Sequence, residues 1–224
     1  MPNRRKFIQL SIASLPLLAS CQSTTSTVSQ NYKKPLVVST WDSGIRANAA
    51  AWKVLENKGR ALDAVEEAAK YAEIEKSCCV GLAANPDRDG KVTLDASIMD
   101  EKANCGSVAF MQHIQHPISV ARKLMESTPH VFMAGEGAEQ FAIENGFEKI
   151  PDKLSPEAEA AWKKWLEKSE YKPVINIENK GFQNQTSPNT LENGKPNHDT
   201  MGTIALDATG NLSGACTTSG MAFK

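Results

Sequence analysis

Residues 201–220, MGTIALDATGNLSGACTTSG, hold two runs of small and β-branched residues separated by a glycine-containing turn. They read as an antiparallel hairpin: Ile204 to Leu206, a turn around Gly210 and Asn211, then Leu212 to Thr218. Upstream, strand and helix patterns follow one another without a simple βαβ alternation. A hairpin at the end of such a mixed series argues for a layered α/β sandwich and against a doubly wound parallel sheet. With 224 residues and 41% apolar content, the chain has enough to bury a substantial core.

The elements ahead of the hairpin are legible from their punctuation. PLVVST, ahead of Trp41, is a short β-branched run that fits an opening strand buried on both faces. Ala50, Ala51, Val54 and Leu55 recur at helical spacing over 47–56, with Gly59 as the stop. Leu62, Val65, Ala68, Ala69 and Ala72 mark a second helix. KVTLDASIMD and CGSVAFMQ look like strands, with the turn signals DRDG before them and EKAN between them. Pro117 suits the first turn of a helix running to about Ser127, and residues 130–147 read as strand, glycine turn and helix, closing near Asn145 and Gly146. In SPEAEAAWKKWLEKS, Ser155 is placed to cap and Pro156 to begin a helix. Ala158, Ala161, Trp162, Trp165 and Leu166 share one face of it, so both tryptophans are expected in the core. VINIEN follows, and then residues 180–197, which bury almost nothing and are expected to form a mobile, solvent-exposed loop.

The first residues are a separate matter. MPNRRKFIQLSIASLPLLASC has a basic start, a short apolar run and small residues before a cysteine, the pattern of an export signal over 1–20. The apolar run is shorter than the roughly 20 residues a membrane span needs. Arg4 and Arg5 resemble a twin-arginine signal. Leu18, Ala19, Ser20 and Cys21 resemble a bacterial lipobox, which implies cleavage before Cys21 and lipid attachment to its sulfur; ordinary signal cleavage nearby is the alternative. Residues 21–33, rich in Ser and Thr, read as a tether from the lipid to the folded body. The expected location is therefore periplasmic or the outer membrane, with membrane contact by the lipid anchor only. Cys78, Cys79, Cys105 and Cys216 remain, and they could form two disulfides or stay as buried thiols. Asn184 heads a glycosylation sequon, whose use a bacterial-style signal argues against. With 25 basic against 26 acidic side chains, no chain-wide field draws nucleic acid, and no zinc-ligand or phosphate-loop spacing occurs.

The chemistry concentrates where the polar segment stops, at His198, Asp199 and Thr200. A threonine hydroxyl is a weak nucleophile unless a base adjoins it, and one solution is the residue's own amine, freed by cutting the preceding peptide bond. Such an amine, with a reference pKa of about 7.7–8.0, is partly neutral near pH 7 and can take the hydroxyl proton. Its proximity is fixed covalently. The chain could cut itself by attack of the Thr200 hydroxyl on the Asp199 carbonyl, with Asp199 as base and His198 orienting it. Read without further context, the same three residues are an ordinary loop-to-strand junction satisfied by turn hydrogen bonds.

HDTMGTIALDATGNLSGACTTSGMAFK resembles the start of the β-subunit of the glycosylasparaginases (aspartylglucosaminidases), N-terminal nucleophile hydrolases with a four-layer αββα fold. The likeness continues upstream through VVSTWDSG, AWKVLENKGRALDAVE, NPDRDGKVTLDASIMD, the run from GSVAFMQ to EQFA, and YKPVINIEN, so it covers nearly everything from Lys34 onward. It implies an α-subunit-like portion over 34–199 and the beginning of a β-subunit-like portion over 200–224. Plant-type asparaginases and isoaspartyl peptidases share the fold but typically show Gly-Thr at the cleavage point, so Asp199 and the STW run favour the glycosylasparaginase branch.

The resemblance implies that Thr200 is the nucleophile, that Asp199 supplies the scissile carbonyl, that the Thr218 hydroxyl supports the nucleophile, and that Trp41 lines the substrate pocket. Without the resemblance, Trp41 reads as an aromatic plug at a strand end. The implied reaction hydrolyses the amide between N-acetylglucosamine and asparagine through a β-aspartyl ester, with no metal or organic cofactor and a glycosyl-asparagine as the small-molecule partner. Family members continue beyond the position of Lys224. The further portion is expected to carry the substrate-clamping arginine and aspartate and the threonine–glycine oxyanion hole, so this chain alone is expected to be incomplete and inactive without it. An αβ assembly that dimerises is the implied complete form. Two other readings stay open: a related β-aspartyl peptidase or asparaginase, and a catalytically dead, lipid-anchored binding or structural protein.

Overall fold

The computed structural model describes residues 33–75, 79–151, 153–168 and 200–224. From Lys34 onward these belong to one compact unit, Lys34–Lys224. The expected export signal, the tether up to residue 32, the VINIEN segment and the 180–197 loop lie outside the described residues, as do Cys21, His198 and Asp199.

The strands are β1 (Leu36–Ser39), β2 (Leu94–Met99), β3 (Cys105–Met111), β4 (Phe132–Ala134), β5 (Thr200–Leu206) and β6 (Leu212–Thr218). They form a single six-stranded sheet in the order β1-β5-β6-β2-β3-β4. Every pairing is antiparallel except β3 with β4, which enters through a helical crossover. The mixed series thus folds as α/β around an antiparallel centre, and the expected hairpin is the central β5–β6 pair, with Thr200 opposite Thr218 and Leu206 opposite Leu212.

The five described helices are α1 (Gly44–Glu56), α2 (Ala61–Ile74), α3 (Pro117–Ser127), α4 (Gly135–Glu144) and α5 (Pro156–Lys168). Helix α2 packs against β5 and β6, α1 against β1, and α3 against β2 and β3. The inward stripe of α2 is built of Ala61, Leu62, Val65, Ala68, Ala69 and Ala72, all buried. Small side chains at most of these positions let the helix lie close to the hairpin. Met201, Ala205 and Ala215 meet it from the sheet, and Leu94, Ile98, Val108 and Met111 continue the core under α3.

The opposite face of the sheet is open among the described residues. Leu36 and Val38 are about half exposed there (49% and 51%), so β1 is an edge strand with one bare face and not the doubly buried strand its composition suggests. Ile204 and Leu212 extend this apolar face along the hairpin.

The turns are held by aspartates. Asp87 Oδ1 accepts the amides of Asp89 and Lys91, each at 2.9 Å, and Asp100 Oδ1 accepts those of Lys102 and Asn104 at the same distance. Asp207 closes the β5–β6 turn in the same way, where Gly210 adopts φ +97°. Each is a side chain imitating a backbone turn. Cys79 is disulfide-bonded, while Cys105 and Cys216 are free thiols.

The two tryptophans of α5 are not in the core. Both are partly exposed, and only Ala158 of that helix is buried. Trp162 Nε1 donates to the Arg88 carbonyl at 3.1 Å, and Trp165 stacks on Phe223 with ring centroids 5.1 Å apart. The helix therefore rests on the 86–90 turn and on the segment after β6.

Candidate active site

The β1–β5 ladder runs one step past the end of β1. Thr40 N donates to the Gly202 carbonyl at 2.9 Å, and Gly202 N donates to Thr40 Oγ1 at 3.0 Å. The chain then turns sharply through Trp41, whose φ of +63° is left-handed and unusual for a bulky residue, to reach the start of α1. This turn carries the indole back over the first residue of β5. Trp41 Nε1 donates to the Thr200 carbonyl at 2.7 Å, and Thr40 Oγ1 approaches the same oxygen at 3.4 Å.

Thr200 is exposed at the head of β5, and Thr218 lies directly across from it at the end of β6. One strand further over, Asp95 stands opposite Thr218. Its Oδ1 accepts the Phe110 amide at 2.7 Å, next to an irregularity in the β2–β3 register. Thr218 Oγ1 accepts the Gly220 amide at 2.9 Å and reaches the Cys79 carbonyl at 3.5 Å.

The structure thus brings together three residues singled out from the sequence: Thr200, Thr218 and Trp41. Trp41 remains 48% exposed, so it is not buried as a plug. Thr40 and Gly202 were not foreseen. Their part depends on pairing between segments more than 150 residues apart, which no local pattern reveals.

A shallow depression of about 470 Å³ runs along the open sheet face beside this cluster, lined in part by Thr40, Gly202, Ser97 and Cys216. Burial pushes the Cys216 thiol above its ordinary value, and the Asp95 charge pushes it the same way, so little thiolate forms there. Among these side chains, Thr200 stands exposed at the strand head.

Residues 22–224 match a family model described as asparaginase. The chain is 51% identical over 231 residues to an N(4)-(Beta-N-acetylglucosaminyl)-L-asparaginase of Elizabethkingia miricola, covering 99% of this chain and 62% of that protein. It is 36% identical over 204 residues to an N(4)-(beta-N-acetylglucosaminyl)-L-asparaginase of Mus musculus, covering 85% of this chain and 59% of the relative. An isoaspartyl peptidase/L-asparaginase of Mus musculus is 37% identical over 181 residues, covering 80% of this chain and 50% of the relative. The chain therefore spans 50–62% of the length of these three relatives.

Proposed function

The chain belongs to the asparaginase family, and from that membership we propose that it is cut between Asp199 and Thr200 and supplies the nucleophile of an amidohydrolase acting on the N-acetylglucosamine–asparagine linkage. The observation that carries this reading is the Trp41 hydrogen bond to the Thr200 carbonyl, with Thr218 opposite. It fixes the first residue of β5 from its carbonyl side, next to the bond proposed to open.

Cleavage proceeds by attack of the Thr200 hydroxyl on the Asp199 carbonyl carbon. The C–N bond breaks, the Thr200 nitrogen takes a proton, and an ester joins Asp199 to the Thr200 oxygen. Water hydrolyses that ester, giving a carboxylate on Asp199 and a free hydroxyl and amine on Thr200. Asp199 serves as base and His198 orients it. In turnover the new amine takes the hydroxyl proton, and the oxygen attacks the substrate's side-chain amide. The glycosylamine leaves, and water releases aspartate from the β-aspartyl ester. Thr218 supports the Thr200 hydroxyl, and the exposed Trp41 ring lines the approach. No cofactor enters this scheme.

The finer architecture follows the same reading. The open apolar face of the sheet is where the second sheet of a four-layer αββα sandwich packs in the complete protein, an αβ assembly that dimerises. Residues 1–20 direct export, and Cys21 carries a lipid that holds the protein at the membrane. Substituting Cys21→Ala should move the protein from the membrane fraction to the soluble fraction.

The test of the main claim is mass spectrometry of the full-length protein for a fragment beginning at Thr200, followed by an assay of aspartate release from N-acetylglucosaminyl-asparagine, with a β-aspartyl dipeptide in parallel. Thr200→Ala should abolish both the new N-terminus and the release. A folded, uncut protein that hydrolyses the glycosyl-asparagine at full rate would refute the mechanism, and preference for the dipeptide would move the substrate to the isoaspartyl peptidase class.

A further inference from the structure

We propose that Glu73 is a positioning residue for the end of β6, acting through Thr217 to fix the strand segment that presents Thr218. This deepens the reading of Thr200 and Thr218 as the reacting pair and rests on it.

Glu73 lies in the last turn of α2, with its side chain fully enclosed at 0% exposure. Its Oε1 accepts the Thr217 hydroxyl at 2.8 Å and the Ile118 amide at 3.1 Å, and Oε2 lies 3.0 Å from His116 Nδ1. One carboxylate thus ties α2, the start of α3 and β6 together. An apolar residue would fill such a position without the cost of removing a charge from water, so packing alone does not call for it. Burial raises the Glu73 pKa, opposed by the hydrogen bonds from His116 and Thr217.

The Thr217 hydroxyl is one of three consecutive anchors. Thr218 Oγ1 reaches the Cys79 carbonyl at 3.5 Å, and Ser219 Oγ donates to the Gly81 carbonyl at 2.9 Å. Ser219 N also donates to the Cys79 carbonyl at 2.8 Å. Every hydroxyl of the Thr217-Thr218-Ser219 run is therefore held by the end of α2 or by the residues that follow it. Gly81, at φ +75°, lies so close that a Cβ would collide with the Glu73 carbonyl. Successive strand side chains point to opposite faces. Fixing Thr217 on the helix side therefore sets the rotation of the next peptide, and with it the direction in which Thr218 faces Thr200.

The variants to make in the full-length protein are Thr217→Val, which keeps the β-branched shape and removes only the hydroxyl, Glu73→Leu, and Glu73→Gln, which keeps an oxygen acceptor for Thr217. Three quantities are measured: the rate of cleavage at Thr200, the thermal midpoint, and amide hydrogen exchange along β6 and β2. Thr217→Val is expected to slow cleavage by about tenfold with a midpoint shift of no more than about 5 °C, and to speed exchange at 218–220 while β2 is unchanged. Glu73→Gln should stay within about threefold of the natural protein in cleavage, the rescue that an acceptor role requires. Unchanged cleavage and exchange in Thr217→Val overturn the proposal, as does exchange that rises uniformly over the whole sheet, which would mark ordinary bracing of the core. If Glu73→Leu does not fold, Thr217→Val decides alone. If the natural protein is itself never cut, the reading of Thr200 fails, and the exchange pattern still decides whether Glu73 and Thr217 position this strand end.

Discussion

A single carboxylate closes the hairpin that presents Thr200. Asp207 Oδ1 accepts the amides of Thr209, Gly210 and Asn211 at 2.9–3.0 Å and the Thr209 hydroxyl at 2.7 Å. Its Oδ2 accepts Asn211 Nδ2 at 3.1 Å and approaches the Ala61 amide at the start of α2 at 3.4 Å. Burial alone would raise its pKa, but these hydrogen bonds outweigh burial and hold it well below the usual carboxylate range. A depressed folded-state value means that the stabilisation is present above the unfolded value, about 3.9, and is lost as pH falls through the folded one. Asp207→Asn is accordingly expected to lower stability by about 2–4 kcal/mol at pH 7 in urea unfolding, with a gap from the natural protein that narrows below about pH 3.9. Trp41 offers a second test at this scale. Trp41→Phe keeps an aromatic ring but loses the donor to the Thr200 carbonyl, which should slow cleavage at Thr200 by about tenfold in a mass-spectrometric time course.

Helix α5 illustrates which parts of an element its own residues announce. Ser155 Oγ accepts the Ala158 amide at 3.1 Å, as the capping pattern foretold, and Pro156 opens the helix. What the helix packs on was hidden. Apolar spacing identifies a sticky face but not its partner, and the tryptophans rest on a turn and a strand exit, not on the sheet. The same limit explains β1, whose β-branched run is identical in character whether one face or both are covered. Local signals served well wherever a few neighbouring residues decide, at the turns, the caps and the hairpin. They failed where register across the fold decides, as with Thr40 on Gly202, or where burial of a charge decides, as with Glu73. Gly90 makes the docking of α5 testable. It sits at φ +80°, and a Cβ there would come within 2.9 Å of the Trp162 ring. Gly90→Ala should therefore cost about 1–3 kcal/mol from the strained backbone, and loosening of α5 should be visible as a red shift in tryptophan emission.

At the scale of the whole molecule, the governing fact is that helices cover only one side of the sheet among the described residues. A sheet with apolar residues on both faces is stable in water only when both are packed. Val38 and Ile204, 51% and 54% exposed, are directly paired across β1 and β5 at the middle of the open face. Exposed contiguous apolar surface of this kind drives association. The 224-residue chain by itself is therefore expected to sediment above its 24.3 kDa monomer mass at micromolar concentration and to bind an apolar dye. Replacing the pair with opposite charges, Val38→Lys with Ile204→Glu, should restore a monomer and reduce dye binding. Both side chains are half exposed and the new charges face each other, so the change in stability should stay within about 1 kcal/mol. A natural chain that already sediments as a monomer and binds no dye would mean that this face is covered from within the same polypeptide. The paired charges would then unfold the protein instead of solubilising it, and a thermal melt of the double variant separates the two arrangements.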